Sequence, residues 1–247
     1  MSGPIPLGRG TMAGMERVPM RGEGWALLAA VAAWNILQNN VDRPTYGWLN
    51  AAGSCVVLVA GRALGLGRED LGLGRGAFRR GWVAGRPVAL VVAAGTAGAI
   101  SVPAARRLFR DERVERAGAG EFAREVLFRI PVGTALFEEL VFRGLLFGRG
   151  ARRSGEARAT LTNAGAFGVW HILPTLRTLA VYRAGSLRST RAGSAGAVTA
   201  AVVITSVAGV GFSLLRRRTR SLVAPVVVHA VINVGGYVAA WKAAPER

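Results

Sequence analysis

From residue 24 onward, long apolar stretches alternate with short charged interruptions. Crossing the hydrocarbon core of a bilayer takes about 20 mostly apolar residues in helical form. Measured against that length, seven stretches stand out: 25–41, 46–66, 82–102, 126–147, 161–179, 195–215 and 222–241. The first is the most polar, carrying Asn35, Gln38, Asn39 and Asn40. The pattern predicts an all-α protein, a polytopic membrane helical bundle of about seven transmembrane helices. Over 106–122, Leu108, Phe109 and Val114 sit among charges, which predicts an amphipathic helix lying at the membrane interface. Residues 1–23 show no period and are rich in Gly, Pro, Met and Arg, so they read as a disordered lead. Residues 24–242 then form one membrane-embedded domain, with a motif-bearing core over about 120–240.

Composition strengthens this picture. The hydrophobic set makes up 51% of the 247 residues before the 34 Gly are added, and aromatics are only 7%. Ala, Val, Leu and Gly are small enough for membrane helices to approach closely where no water-driven force holds them together. A net charge of +18 would point first to nucleic acid in a soluble protein. Here the charges fall between the apolar runs, as in Arg79 and Arg80, Arg106 and Arg107, Arg152 and Arg153, and Arg216 to Arg218. Loop charges of this kind face anionic headgroups, and no nucleic-acid partner is expected. Lys242 is the only Lys among 32 basic residues, a bias of GC-rich genomes, so a bacterial plasma membrane is the expected location. Cys55 is the only cysteine. It excludes a disulfide within one chain and is expected to be a small buried hydrophobe.

Ionisable groups within membrane spans cost roughly 2.5 to 3.5 kcal/mol each on insertion, so a span that keeps several uses them. The fourth stretch carries Glu138, Glu139 and Arg143, with Arg129 upstream. At about 100° per residue, Glu139 and Arg143 share a helix face while Glu138 points away from it. This predicts that Arg143 neutralises Glu139 and that Glu138 is free to face a cavity as a general base. The only two histidines, His171 and His229, also fall in apolar stretches, and Asn233 follows His229 by one helical turn. A carboxylate, imidazoles and an amide suit attack of water on a peptide bond: a base for the water's proton, and donors for the oxyanion. The same set, Glu138, His171 and His229, also matches a catalytic zinc site with one open position. From the residues alone both uses stay open.

Three motifs in order, Glu138-Glu139-x-x-x-Arg143, Phe167-x-x-x-His171 and His229-x-x-x-Asn233, resemble those of the intramembrane CAAX proteases and bacteriocin-processing enzymes, the CPBP or abortive-infection family. The resemblance covers roughly the C-terminal half of the chain. It implies an intramembrane endopeptidase acting on a peptide or membrane-protein substrate. By motif match, Glu138 and His171 would activate water and His229 and Asn233 would stabilise the oxyanion, with Glu139, Arg143 and Phe167 in support. Family members are described both as metalloproteases and as metal-independent glutamate peptidases, so zinc or no cofactor is implied equally. The better-known prenyl-protein endopeptidases of the family have eight spans against the seven expected here. The same residues also suit two other uses: a non-catalytic immunity or scaffold protein of the same fold, and a proton-coupled transporter.

Overall fold

The computed structural model describes residues 22–111, 114, 117–184 and 191–244. The described residues are almost wholly helical and contain no strand. The helices are α1 (Gly22–Gln38), α2 (Arg43–Ala63), α3 (Ala77–Ser101), α4 (119–154), α5 (Glu156–Trp170), α6 (Ile172–Ala184), α7 (Arg191–Thr219) and α8 (Val223–Ala243). The lead expected over 1–23 lies outside the described residues as far as residue 21, and α1 begins at Gly22.

Polar contacts tie both ends of the bundle. At one end the 64–76 turn receives Arg152 Nη1 at the Gly65 carbonyl (2.7 Å), Arg216 Nη2 at the Glu69 and Asp70 carbonyls (2.9 and 2.8 Å), and the Leu222 amide at the Gly72 carbonyl (2.9 Å). At the other end Arg43 pairs with Glu121 at 3.4 Å, and Arg177 bonds Asn40. Glycines bring backbones together along the rods, as the composition predicts. A Cβ on Gly133 of α4 would meet the Gly47 Cα of α2 at 2.8 Å, and one on Gly168 of α5 would meet the Val202 carbonyl oxygen of α7 at 2.8 Å. A Cβ on Gly85 of α3 would meet the Ala224 Cα of α8 at 3.1 Å. Such contacts are how helices associate in lipid.

The exterior is apolar and the interior carries the polar groups, the arrangement a bilayer demands. Trp48, Val59, Leu90, Val91, Leu127, Ile204 and Val207 are exposed, whereas Gln38, Asn50, Glu125, Glu138, Glu139, Arg143 and Asn163 are buried. The chain is an integral membrane protein with an all-α bundle fold.

Several expectations are corrected. Among the described residues, three helices rather than seven are long and apolar enough to cross a membrane: Ala77–Ser101, Gly193–Thr219 and Val223–Ala243. The other stretches fall short for identifiable reasons. Helix α1 has 17 residues, α2 is diluted by Arg43, Asn50, Ser54 and Arg62, and α4 carries the charged motif. The stretch expected over 161–179 breaks at His171 into α5 and α6. Pro174 causes that break, since it cannot donate the amide that would bond the Trp170 carbonyl. The interfacial helix expected over 106–122 is not one element. A short helix (Pro103–Arg106) and a 3-10 turn (Arg107–Phe109) open this stretch, and 119–122 belong to α4. Residues 112, 113, 115 and 116 lie outside the described residues. Leu108 is exposed, but Val114 is buried beside Ile130, Tyr237 and Ala240. Cys55, expected to be buried, is exposed on α2.

Candidate active site

Helix α4 supplies the carboxylates. Its backbone is locally widened, with i→i+5 turns over Glu125–Leu136 and Leu140–Leu146 flanking the short α-helical piece Phe137–Glu139. Wide turns of this kind are rare and recur at functional sites. Glu138, Glu139 and Arg143 are all buried, the last two completely.

Arg143 Nη1 donates to Glu139 Oε1 at 3.1 Å, and Nη2 donates to the Gly209 carbonyl of α7 at 3.3 Å. Its guanidinium lies over the rings of Phe167 (4.2 Å) and Phe212 (5.1 Å). A buried cation needs this combination of counter-charge, hydrogen bonds and aromatic faces. Glu139 Oε1 has a second partner, His229 Nδ1 at 2.8 Å. The carboxylate accepts, so Nδ1 carries a proton there and the imidazole is fixed in orientation. The His229 ring also stacks on Phe212, with centroids 5.1 Å apart.

Glu138 is placed by a residue the motifs do not single out. Trp170 Nε1, near the end of α5, donates to Glu138 Oε1 at 3.0 Å. The other oxygen, Oε2, is buried without a hydrogen-bond partner among the described residues and stands 3.8 Å from His229 Nε2. That separation is too long for a direct hydrogen bond and suits a water bound to both.

Helix α1 extends the same network. The Trp170 carbonyl left without a donor by Pro174 accepts from Asn35 Nδ2 at 3.0 Å. Asn35 Oδ1 accepts from Gln38, whose Oε1 accepts from Asn50 Nδ2 at 2.7 Å, and Asn50 also bonds the Gly133 carbonyl on α4. The polar residues that make α1 a poor membrane span are therefore the ones that tie it to the carboxylate helix. No sequence signal links Asn35 to Trp170, because the two stand far apart in the chain and neither belongs to a helix pattern shared with the other.

Of the residues named by the sequence, Glu138, Glu139, Arg143 and His229 make direct contact. Phe167 touches both imidazole rings, at 4.6 Å from His171 and 5.9 Å from His229 between centroids. His171 closes α5, with Nδ1 2.8 Å from the Phe167 carbonyl, so Nδ1 is the protonated nitrogen and Nε2 is left with its lone pair. Asn233 lies one turn beyond His229 on α8 and is half-buried. Among the described residues no hydrogen bond joins His171 or Asn233 to Glu138 or His229.

The fit to a metal was tested on the same geometry. A catalytic zinc takes three protein ligands and an open position. Among the described residues no three His, Cys, Asp or Glu side chains come together as a metal-holding group. Glu138 and His229 form a pair, but the His171 ring is held back at the Phe167 carbonyl. The set does not fit zinc as arranged.

Fold and site together define a class: a helical membrane protein with buried carboxylates facing an imidazole across the bundle. Residues 123–235 match the family model described as Type II CAAX prenyl endopeptidase Rce1-like, and over that stretch the chain is similar to this CAAX-protease family. The matched segment contains all three motifs and leaves α1 to α3 outside. Among curated proteins and among solved structures, nothing matches.

Proposed function

We propose that the chain is an intramembrane endopeptidase in which Glu138 activates water against a peptide bond. The observation that carries this reading is the facing pair of Glu138 Oε2 and His229 Nε2, buried and 3.8 Å apart. Trp170 engages Oε1, so Oε2 is the oxygen available to a water. In the reaction, Glu138 Oε2 takes one proton from the water as its oxygen bonds to the scissile carbonyl carbon. The C=O bond becomes a single-bonded oxyanion, and the nearest donors to it are His229 Nε2, when protonated, and the Asn233 amide. Collapse of that intermediate breaks the C–N bond, and the Glu138 proton passes to the departing amine nitrogen. His171 Nε2, which carries a lone pair while Nδ1 is bound at the Phe167 carbonyl, is the second acceptor for the water in this reading. Glu139 fixes the orientation of the His229 ring through Nδ1 and favours the imidazolium form in which Nε2 can donate, and Arg143 holds Glu139 in place. The mechanism uses no step through a metal, and the bacterial plasma membrane is the proposed location.

The test is cleavage of a tagged membrane-peptide library by purified protein, wild type against Glu138→Gln, with and without a chelator. The expected result is cleavage by wild type, insensitive to the chelator, that disappears in the variant. Equal cleavage by both proteins would overturn the role of Glu138, and loss on chelation would overturn the metal-free step. No cleavage by folded wild-type protein would favour a non-catalytic immunity or scaffold role.

A further inference from the structure

We infer that a cavity beside the first half of α5, away from the His171 end of that helix, binds an anionic phospholipid, with its phosphodiester on Arg153 and Arg158 and an acyl chain in the apolar interior. The inference stands apart from the peptidase reading. The cavity holds about 320 Å³, within the usual range for ligand sites, and lies between the start of α1, the last turns of α4 and the middle of α5. Leu27, Leu28, Leu146 and Ala166 form its apolar lining, and Arg149, Arg153 and Arg158 stand on its rim.

Three features favour a charged amphiphile over a simple apolar guest. First, neither the Arg153 nor the Arg158 guanidinium has a hydrogen-bond or ion-pair partner among the described residues, although both border an apolar space. Second, Asn163 lines the cavity while buried at 3% exposure. One end of its amide donates to Ser213 Oγ at 3.2 Å, and Oδ1 at the other end has no partner among the described residues. A buried amide end is costly when unmatched, and a headgroup hydroxyl would satisfy it. Third, the apolar lining and the arginine rim lie at the end of the bundle where α4 turns into α5, the depth at which lipid phosphates meet a membrane protein.

The test is native mass spectrometry of the full-length protein in detergent, given equal amounts of dioleoylphosphatidylglycerol and dioleoylphosphatidylcholine. Wild type is expected to retain one phosphatidylglycerol with a preference of about tenfold. R153Q/R158Q is expected to lose the preference, whereas R79Q/R218Q, which removes exposed charge elsewhere at the same end, keeps it. Leu28→Trp, which fills the cavity, is expected to lose retention while leaving the unfolding midpoint in lipid-free detergent unchanged. Inorganic phosphate is expected not to displace the lipid. Retention undiminished in R153Q/R158Q or in Leu28→Trp would overturn the site. Equal loss in R79Q/R218Q would reduce it to general surface charge, and displacement by phosphate would make it an anion site with no lipid component.

Discussion

Helix α4 carries the same pair twice. Glu125 with Arg129 and Glu139 with Arg143 are both i,i+4 ion pairs, and both carboxylates are completely buried. Their surroundings differ. Arg129 keeps 21% of its side chain exposed and lies over the Tyr46 ring, and no imidazole approaches Glu125. Arg143 is sealed among Phe142, Phe167 and Phe212, and its partner carboxylate reaches His229 on α8, which in turn faces Glu138. The upstream pair therefore has the form of a tie between helices, and the downstream pair has the form of a support for chemistry. An acid and a base one turn apart become a candidate site only where a second carboxylate and a third element complete them.

The sharpest way to break this comparison is to remove each carboxylate's charge in turn. Glu138→Gln is expected to lower peptide hydrolysis by about 10² to 10⁴-fold, the usual contribution of a general base. Glu125→Gln is expected to stay within a few-fold of wild type. Initial rates on one cleaved peptide measure both, and comparable losses would mean that the two pairs are functionally alike.

The next contrast concerns stability. Replacing Arg143 by Leu leaves Glu139 buried without its cation, a change expected to cost about 3 to 5 kcal/mol. Arg129→Leu also strands a completely buried carboxylate and is expected to cost about 3 kcal/mol, the lower end of that range, because the Arg129 side chain is itself 21% exposed. Denaturant unfolding in mixed micelles reads the difference. Similar midpoints for the two variants would show that burial does not separate the pairs.

A smaller effect is expected at Trp170, the residue that aims Glu138. Trp170→Phe keeps the aromatic packing against Phe137 and Phe142 but removes one hydrogen bond to a carboxylate. Such a bond is worth about 1.5 to 3 kcal/mol. The expected outcome is a fall in kcat accompanied by a loss of stability of that order, since Glu138 Oε1 is left buried without its donor. A fall in stability with kcat preserved would make Trp170 a packing residue only.

These contrasts also mark where the sequence is legible. The Glu139–Arg143 pair follows from helical spacing alone, and two histidines in apolar runs identify themselves by their scarcity. Local spacing cannot reveal which of two identical Glu/Arg pairs meets an imidazole, because that depends on how α8 packs against α4. The span count failed for a related reason. Apolar runs of the right length resemble whole spans, but Asn35, Gln38 and Asn50 dilute two of them and Pro174 divides another. Cys55 shows the same limit in miniature, since in a membrane helix the lipid-facing and core-facing sides are both apolar.

The polar residues of α1 then supply the smallest and most discriminating test. Asn35 Nδ2 occupies the Trp170 carbonyl that Pro174 leaves open, so the two residues act on one oxygen. Asn35→Leu is expected to cost about 1 kcal/mol and a few-fold in activity through loosened aim of Trp170 on Glu138. Pro174→Ala restores a backbone donor to the same carbonyl. If the bond matters as drawn, Asn35→Leu should cost much less in a Pro174→Ala background than in wild type, a coupling that a double-mutant cycle measures directly. Strict additivity would mean that α1 only packs beside the family domain. Coupling would mean that the helix outside the matched segment helps to hold the candidate base in place.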